Sequence, residues 1–257
     1  MNDASTRMVR TYVSLTLFST FASSFIWGIN TLFLLDAGLS ITAAFAANAF
    51  FTAGQVVFEV PTGVVADTKG RRTSFLLGTA TLFVTTLAYL WLWQIKGPFW
   101  AWAAVSVLLG LGFTFFSGAT EAWLVDGLDA AGFDGELDNV FAKGSIASGI
   151  AMLTGTVAGG VVAQVSNLGV PYLMRVAALA VTFVIAYFLM HDEGFSPDEE
   201  TSLADEIKSV VRSSVEFGLK EAPVRWMMLS SIFTGGIAIY VFYAMQPYLL
   251  ELYGESS

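Results

Sequence analysis

The sequence predicts an all-α integral membrane protein, and three observations carry that expectation. Hydrophobic residues fill 55% of the 257 positions and charged residues only 13%, about half the charge of an average soluble domain. Mean hydropathy is +0.67, more apolar material than a soluble fold of this size can hide beneath a polar surface. The apolar residues also gather into runs near the ~20 residues that cross a ~30 Å hydrocarbon layer at ~1.5 Å per residue. Barrel strands would instead show short alternating segments.

Seven runs cover residues 11–35, 42–65, 73–95, 99–125, 140–165, 171–190 and 224–250. The first is too long for a signal-peptide core and has no convincing small-residue cleavage site after it, so it is expected to remain as a span. Orientation follows the basic residues. With the N-terminus inside, ten of the twelve Lys and Arg (Arg7, Arg10, Lys69, Arg71, Arg72, Lys143, Lys208, Arg212, Lys220 and Arg225) fall on or near the cytoplasmic side. Lys96 alone lies in an outer loop. Arg175, just inside the sixth span, is expected to snorkel to the interface.

Two acidic stretches follow spans four and six and read as solvated surface. One holds Asp126, Asp129, Asp134, Glu136 and Asp138; the other holds Asp192, Glu193, Asp198, Glu199, Glu200, Asp205 and Glu206. Between Asp192 and Thr201 the chain is polar and carries Pro197. From Ser202, Leu203, Ile207, Val210, Val211 and Val215 recur at helical spacing, which predicts an amphipathic helix at the inner membrane surface or a helical spacer. The expected organisation is a six-helix bundle over 1–190, a cytoplasmic linker over 191–222 and a further span over 223–257.

Composition also narrows function. Zero cysteines exclude thiolate metal sites and cysteine nucleophiles, and His191 is the lone histidine, so neither a metal centre nor a Ser-His-Asp triad is expected. No cofactor is implied. A net charge of −9 lacks the basic footprint that nucleic acid requires. No G-x-x-x-x-G-K-[ST] run is present, so the chain itself offers no phosphate-cradling loop for ATP. The implied partners are a lipid bilayer and a small solute.

The most informative passage, Gly63-Val-Val-Ala-Asp67-Thr-Lys-Gly70-Arg71-Arg72, joins spans two and three on the cytoplasmic side. Gly63 permits close helix packing, Asp67 stands at a helix end, Gly70 allows a tight reversal, and Arg71 and Arg72 can bond to carboxylates and free carbonyls. This pattern resembles the signature loop of the major facilitator superfamily of secondary transporters. The flanking Phe58-Glu59-Val60-Pro61-Thr62 and Ser117-Gly118-Ala119-Thr120-Glu121-Ala122-Trp123 are similar to bacterial permeases of that superfamily.

The resemblance implies two six-helix halves around a midplane cavity, of which this chain would supply the first half and one more helix, the C-terminal half being missing. It implies a multi-pass inner-membrane secondary transporter working by alternating access, with proton coupling as one option. Drug/proton antiport, and a non-transporting scaffold on the same fold, are the alternatives; an enzyme is not expected. It also implies that Asp67, Arg71 and Asp126 cluster as a conformational latch. Gly155-Thr156-Val157-Ala158-Gly159-Gly160 is similar to an antiporter motif, with Thr156 where a proline is expected, and equally fits generic small-residue helix packing.

Glu59 and Glu121 lie inside spans and are the candidate proton carriers. Glu59, Gly63 and Asp67 share one helix face, and Glu59 can alternatively support the loop by bonding to Arg71 or span four. Trp27, Asn30 and Gln55 are the uncharged candidates for a cavity whose walls are otherwise expected to be apolar. The rival role for these three is hydrogen bonding between packed helices.

Overall fold

A computed structural model describes residues 3–116, 118–195 and 203–254. Ser117, Pro197, Asp198, Glu199, Glu200, Thr201 and Ser202 lie outside the described residues. Helices appear in the order α1 Asp3–Trp27, α2 Asn30–Asp36, α3 Ile41–Lys69, α4 Arg71–Ile95, α5 Phe99–Thr114, α6 Ala119–Ala130, α7 Leu137–Val165, α8 Val170–Leu189, α9 Leu203–Lys220 and α10 Ala222–Gly254. Among the described residues, six helical stretches are long and apolar enough to cross a membrane, or seven if α1 and α2 count as one span. Contacts divide the chain into two compact units, Met1–Glu199 and Glu200–Ser257.

Two of the expected spans are broken rather than straight. α1 and α2 meet at 49°, across a turn at Gly28 and Ile29. The fourth run splits into α5 and α6, and Gly118 at its break has φ +68°. Elsewhere local chemistry sets the ends as expected. Ser40 Oγ accepts from Ala43 N at 3.2 Å to cap α3. Pro98 precedes α5 and Pro171 sits in the first turn of α8, where the missing N–H is no loss. α4 ends in a left-handed Lys96 with Gly97 N donating to Leu92 O at 2.9 Å, which satisfies carbonyls the helix leaves open.

Within the first unit, α1 packs along α7 and α8, α3 along α5, and α4 along α5 and α8. The α1–α7 seam is made by small residues. A Cβ on Gly155 would collide with Ser24 and one on Gly159 with the Phe25 backbone, so only glycine permits this approach. Ser24 Oγ donates to Ala151 O at 3.1 Å across the same seam. The glycine run in span five therefore has a packing job in this structure.

Two buried clusters result. The larger surrounds Phe33, Trp102, Tyr172 and Tyr89, with Leu82 and Leu179 at its inner edge. The smaller joins Met8, Tyr12, Phe75, Trp123, Leu128 and Met190 near the end where α1 begins and α8 stops. In the second unit α9 carries the expected amphipathic pattern, with a Lys220–Glu216 ion pair on its surface. Arg225 Nη1 donates to Leu219 O at 2.9 Å near the start of α10.

Candidate functional site

The signature loop is tighter than expected. α3 continues to Lys69 and α4 starts at Arg71, so Gly70 alone reverses the chain. Gly70 has φ +97°, a conformation that L side chains resist. A Cβ there would also strike the Asp192 carboxylate, so glycine is required twice over. Arg71 Nη1 pairs with Asp67 Oδ1, and Arg71 Nε stands 3.8 Å from Asp126 Oδ2. At that range the second contact is an ion pair without a hydrogen bond, and Arg71 Nε has no hydrogen-bond partner. The structure thus brings Asp67, Arg71 and Asp126 together. A Cβ at Gly63 would meet nothing within 4 Å among the described residues, so no close helix packing uses this glycine there.

The segment after α8 completes the cluster, and sequence reasoning missed it. Asp192 reads as solvated surface from the sequence, yet its Oδ1 accepts the Arg72 backbone N–H at 2.9 Å. The α4 N-terminus has only Gly70 before it, which brings no side-chain cap. Asp192 supplies that cap from 120 residues away, where a carboxylate also meets the positive end of the helix. Arg72 returns the interaction: its Nη2 donates to Tyr187 O at 2.7 Å in the last turn of α8, and its guanidinium lies 5.4 Å from the Tyr187 ring centroid. The segment after α8 caps α4, and Arg72 of α4 caps the end of α8.

Burial pushes the Asp192 carboxyl above its ordinary range, with the Asp126 charge adding to the rise. The Arg72 amide bond and the Arg72 and Arg71 charges oppose it. Alongside, Trp123 Nε1 donates to His191 O at 2.7 Å, and Arg7 pairs with Glu193 at 3.6 Å. A spacing rule confined to one loop cannot find partners this remote; Asp192 following an apolar run was the available signal.

Deeper in the first unit, a cavity of about 290 Å³ is lined by Thr16, Ser19, Thr20, Ser23, Thr120 and Ser148, with Glu121, Trp27 and Phe113 on its walls. As expected, most of the cavity surface is apolar, but six hydroxyl side chains from α1, α6 and α7 are set into it. Serine and threonine read as neutral filler in a membrane span because their hydroxyls can bond back to their own helix. Ser19 and Ser23 do so here, donating to Thr16 O and Ser19 O at 3.2 Å each, whereas Thr20 and Ser148 face each other at 3.1 Å.

Of the three uncharged candidates, Trp27 lines the cavity and the other two do not. Asn30 Nδ2 donates to Asn48 Oδ1 at 2.9 Å, and Tyr172 OH donates to Asn30 Oδ1 at 2.8 Å. Asn30 thus joins α2, α3 and α8 as interhelical glue. Gln55 sits where α3 presses on α5, its backbone close to the Cβ position of Gly110. The two glutamates also separate. Glu121 stands on the cavity wall, whereas Glu59 is exposed on α3 and bonds to neither Arg71 nor α6.

Arg175 corrects the snorkelling expectation outright. It is 1% exposed, because its α8 position turns it into the bundle against α1 and α4 rather than along the lipid. Nε donates to Thr86 Oγ1 at 3.0 Å and Nη1 to Ala22 O at 3.1 Å.

Comparison with known proteins adds the lineage. The model of the Major Facilitator Superfamily matches residues 12–257. No curated protein matches the sequence. Among solved structures, a peptide transporter in complex with sulfate superposes with a TM-score of 0.64 at 15% identity, over 90% of this chain and 47% of that one. A single-residue variant of that transporter, also with sulfate, gives 0.64 at 15% over 89% and 46%. The chain spans about half the length of these structures, and at this identity the likeness concerns the fold.

Proposed function

The chain belongs to the major facilitator superfamily, and from that premise we propose that it is the first half, with one further helix, of a secondary active transporter for a small solute. The supporting observation is the cavity of about 290 Å³ lined by six of the first unit's helices, mostly apolar but carrying six hydroxyl side chains. A wall of this kind offers donors and acceptors to a polar solute at a depth where water is otherwise scarce. In this reading the protein resides in the cytoplasmic membrane with its N-terminus inside, and the segment 191–222 links this bundle to a second one.

The signature loop acts as the latch in this proposal. Asp67, Arg71 and Asp126 tie α3, α4 and α6 on one side of the cavity, while Asp192 and Arg72 fasten α4 to α8. Rocking of one half against the other breaks or remakes the exposed ion pairs at small cost, which suits a switch better than a weld. Glu121 is the better candidate for proton coupling because a carboxylate on the cavity wall can meet both solute and proton. Glu59 is the weaker one, lying off the cavity.

Counterflow of radiolabelled solutes in proteoliposomes tests the reading, with the protein carrying both helical halves. Accelerated exchange without ATP is the expected result; no exchange across a broad panel of polar solutes would sink it. Glu121→Gln should abolish flux driven by a pH gradient and spare exchange, whereas Glu59→Gln should leave both. Loss of both activities in Glu121→Gln would remove it as the proton carrier.

A further inference from the structure

Among the described residues, the one charged side chain buried in the bundle has no counter-charge. Arg175 is fully enclosed, and among the described residues no carboxylate lies within 4.0 Å of it. Its Nε and Nη1 are satisfied by Thr86 and Ala22, but Nη2 has no hydrogen-bond partner. A guanidinium stays charged in a protein. Enclosing one without an anion is costly, and in a membrane span such a group marks a solute or ion path by default.

Its position says where that charge is felt. The guanidinium carbon lies 5.5 Å from the centroid of the Phe113 ring, and Phe113 lines the cavity. Leu82, four residues before Thr86 on α4, and Leu179, four after Arg175 on α8, line it too. Arg175 therefore stands just behind the cavity wall, against an aromatic ring that belongs to that wall. The one carboxylate among the lining residues is Glu121. It belongs to the first turn of α6, and the cavity's α1 lining begins at Thr16. Arg175 meets α1 at Ala22, six residues or ~9 Å further along the helix. The remaining lining groups are hydroxyls and apolar side chains, which carry no charge.

We propose that Arg175 makes the Phe113 wall of the cavity an anion-accepting surface, so that the transported solute presents a carboxylate there. The inference rests on the transporter reading of the same cavity. Across a low-dielectric wall a buried charge acts at longer range than in water. A shift of the Phe113 ring would offer Nη2 as a charge-assisted donor to the solute oxygen. Pinning α1, α4 and α8 together explains Nε and Nη1 but leaves both the third nitrogen and the net charge unused.

Trp27 provides a reporter inside the cavity. Its emission, taken as the difference between the chain and its Trp27→Phe variant in nanodiscs, is titrated with iodide, caesium and neutral acrylamide. Iodide should quench it about twofold or more better in the parent than in Arg175→Gln, as expected for one unit charge at partial screening. Caesium should move the opposite way, acrylamide should not change, and Arg175→Lys should retain the iodide preference. Unequal acrylamide quenching would mean the cavity has changed shape, and Phe113→Ala then decides. That variant keeps the arginine and removes the ring, so iodide quenching should rise more than caesium quenching. Equal iodide and caesium responses in Arg175→Gln and in Phe113→Ala overturn the proposal. Because no transport is measured, a charge preference that persists without counterflow would instead fault the transporter reading alone.

Discussion

The two ends of the first bundle are held by different physics. At the end where α2 begins, Phe33 is fully buried, with its ring centroid 3.9 Å from that of Tyr172 and 5.6 Å from that of Trp93. Tyr89 and Ser106 share a buried hydrogen bond of 2.6 Å within the same cluster. At the opposite end the smaller cluster around Phe75 and Trp123 is joined by charges at the surface, of which Asp67 and Asp126 have side chains 55% and 38% exposed. Aromatic packing resists separation because every contact is lost at once. Exposed ion pairs exchange with water for little cost. The contrast marks the α3–α4 loop as the part that separates at the lower cost.

The sharpest way to break that contrast is to hollow out the aromatic end. Phe33→Ala removes a ring packed against Tyr89, Trp93, Trp102 and Tyr172, and should cost about 3 kcal/mol or more. Unfolding in mixed micelles followed by tryptophan emission measures it. A loss below about 1 kcal/mol would show that lipid or water fills the void and that this end is not the rigid one.

A smaller effect is expected where the segment after α8 caps α4. Asp192→Ala removes the α4 cap and should cost about 1 kcal/mol, while Asp192→Asn keeps an acceptor oxygen for the Arg72 amide. The pH dependence gives the sign. Because the Asp192 carboxyl is held above its ordinary 3.8, the folded protein takes up this proton more readily than the unfolded chain. The parent therefore loses stability relative to Asp192→Asn as pH rises above that ordinary value, and the difference closes in stronger acid. A difference that grows as pH falls would mean that the Arg71 and Arg72 charges, rather than burial, control this group.

What could be read in advance divides along the same line. Span positions were legible because length and hydropathy are local: the predicted run 73–95 lies within α4, and 171–190 nearly coincides with α8. The Asp67–Arg71 pair was implied by the resemblance of its loop to the superfamily signature, and its partners stand four residues apart on adjoining helix ends. Contacts that join remote helices were not legible. Arg175 meets Thr86 and Ala22 from 89 and 153 residues away, and nothing in its apolar neighbours distinguishes a residue facing lipid from one facing the bundle. The cavity's hydroxyls escaped notice similarly, since Thr16, Ser19, Thr20 and Ser23 are four unremarkable positions until α1 is set against α7. Asn30 kept both uses open in the sequence, cavity lining or hydrogen bonding between helices, and its bonds to Asn48 and Tyr172 are of the second kind.

The smallest expected effect concerns the exposed ion pairs themselves, and it tests the comparison most directly. Raising salt to about 1 M shrinks the screening length to ~3 Å, shorter than the 3.8 Å between Arg71 Nε and Asp126 Oδ2. Hydrogen exchange of residues 67–75 should then quicken, with a loss in opening free energy below about 1 kcal/mol. Amides around Phe33 and Tyr89 should respond far less, since the charged group at that cluster, the Asp36 carboxylate, accepts from the neutral Trp93 indole at 2.7 Å rather than pairing with a cation. Arg71→Ala should quicken exchange in the loop by a similar amount in low salt and abolish its salt response. If salt instead loosens the aromatic end, or if Arg71→Ala leaves the loop as protected as before, then the Asp192 and Arg72 caps alone hold the loop and the ion pairs are ornament on an already rigid turn.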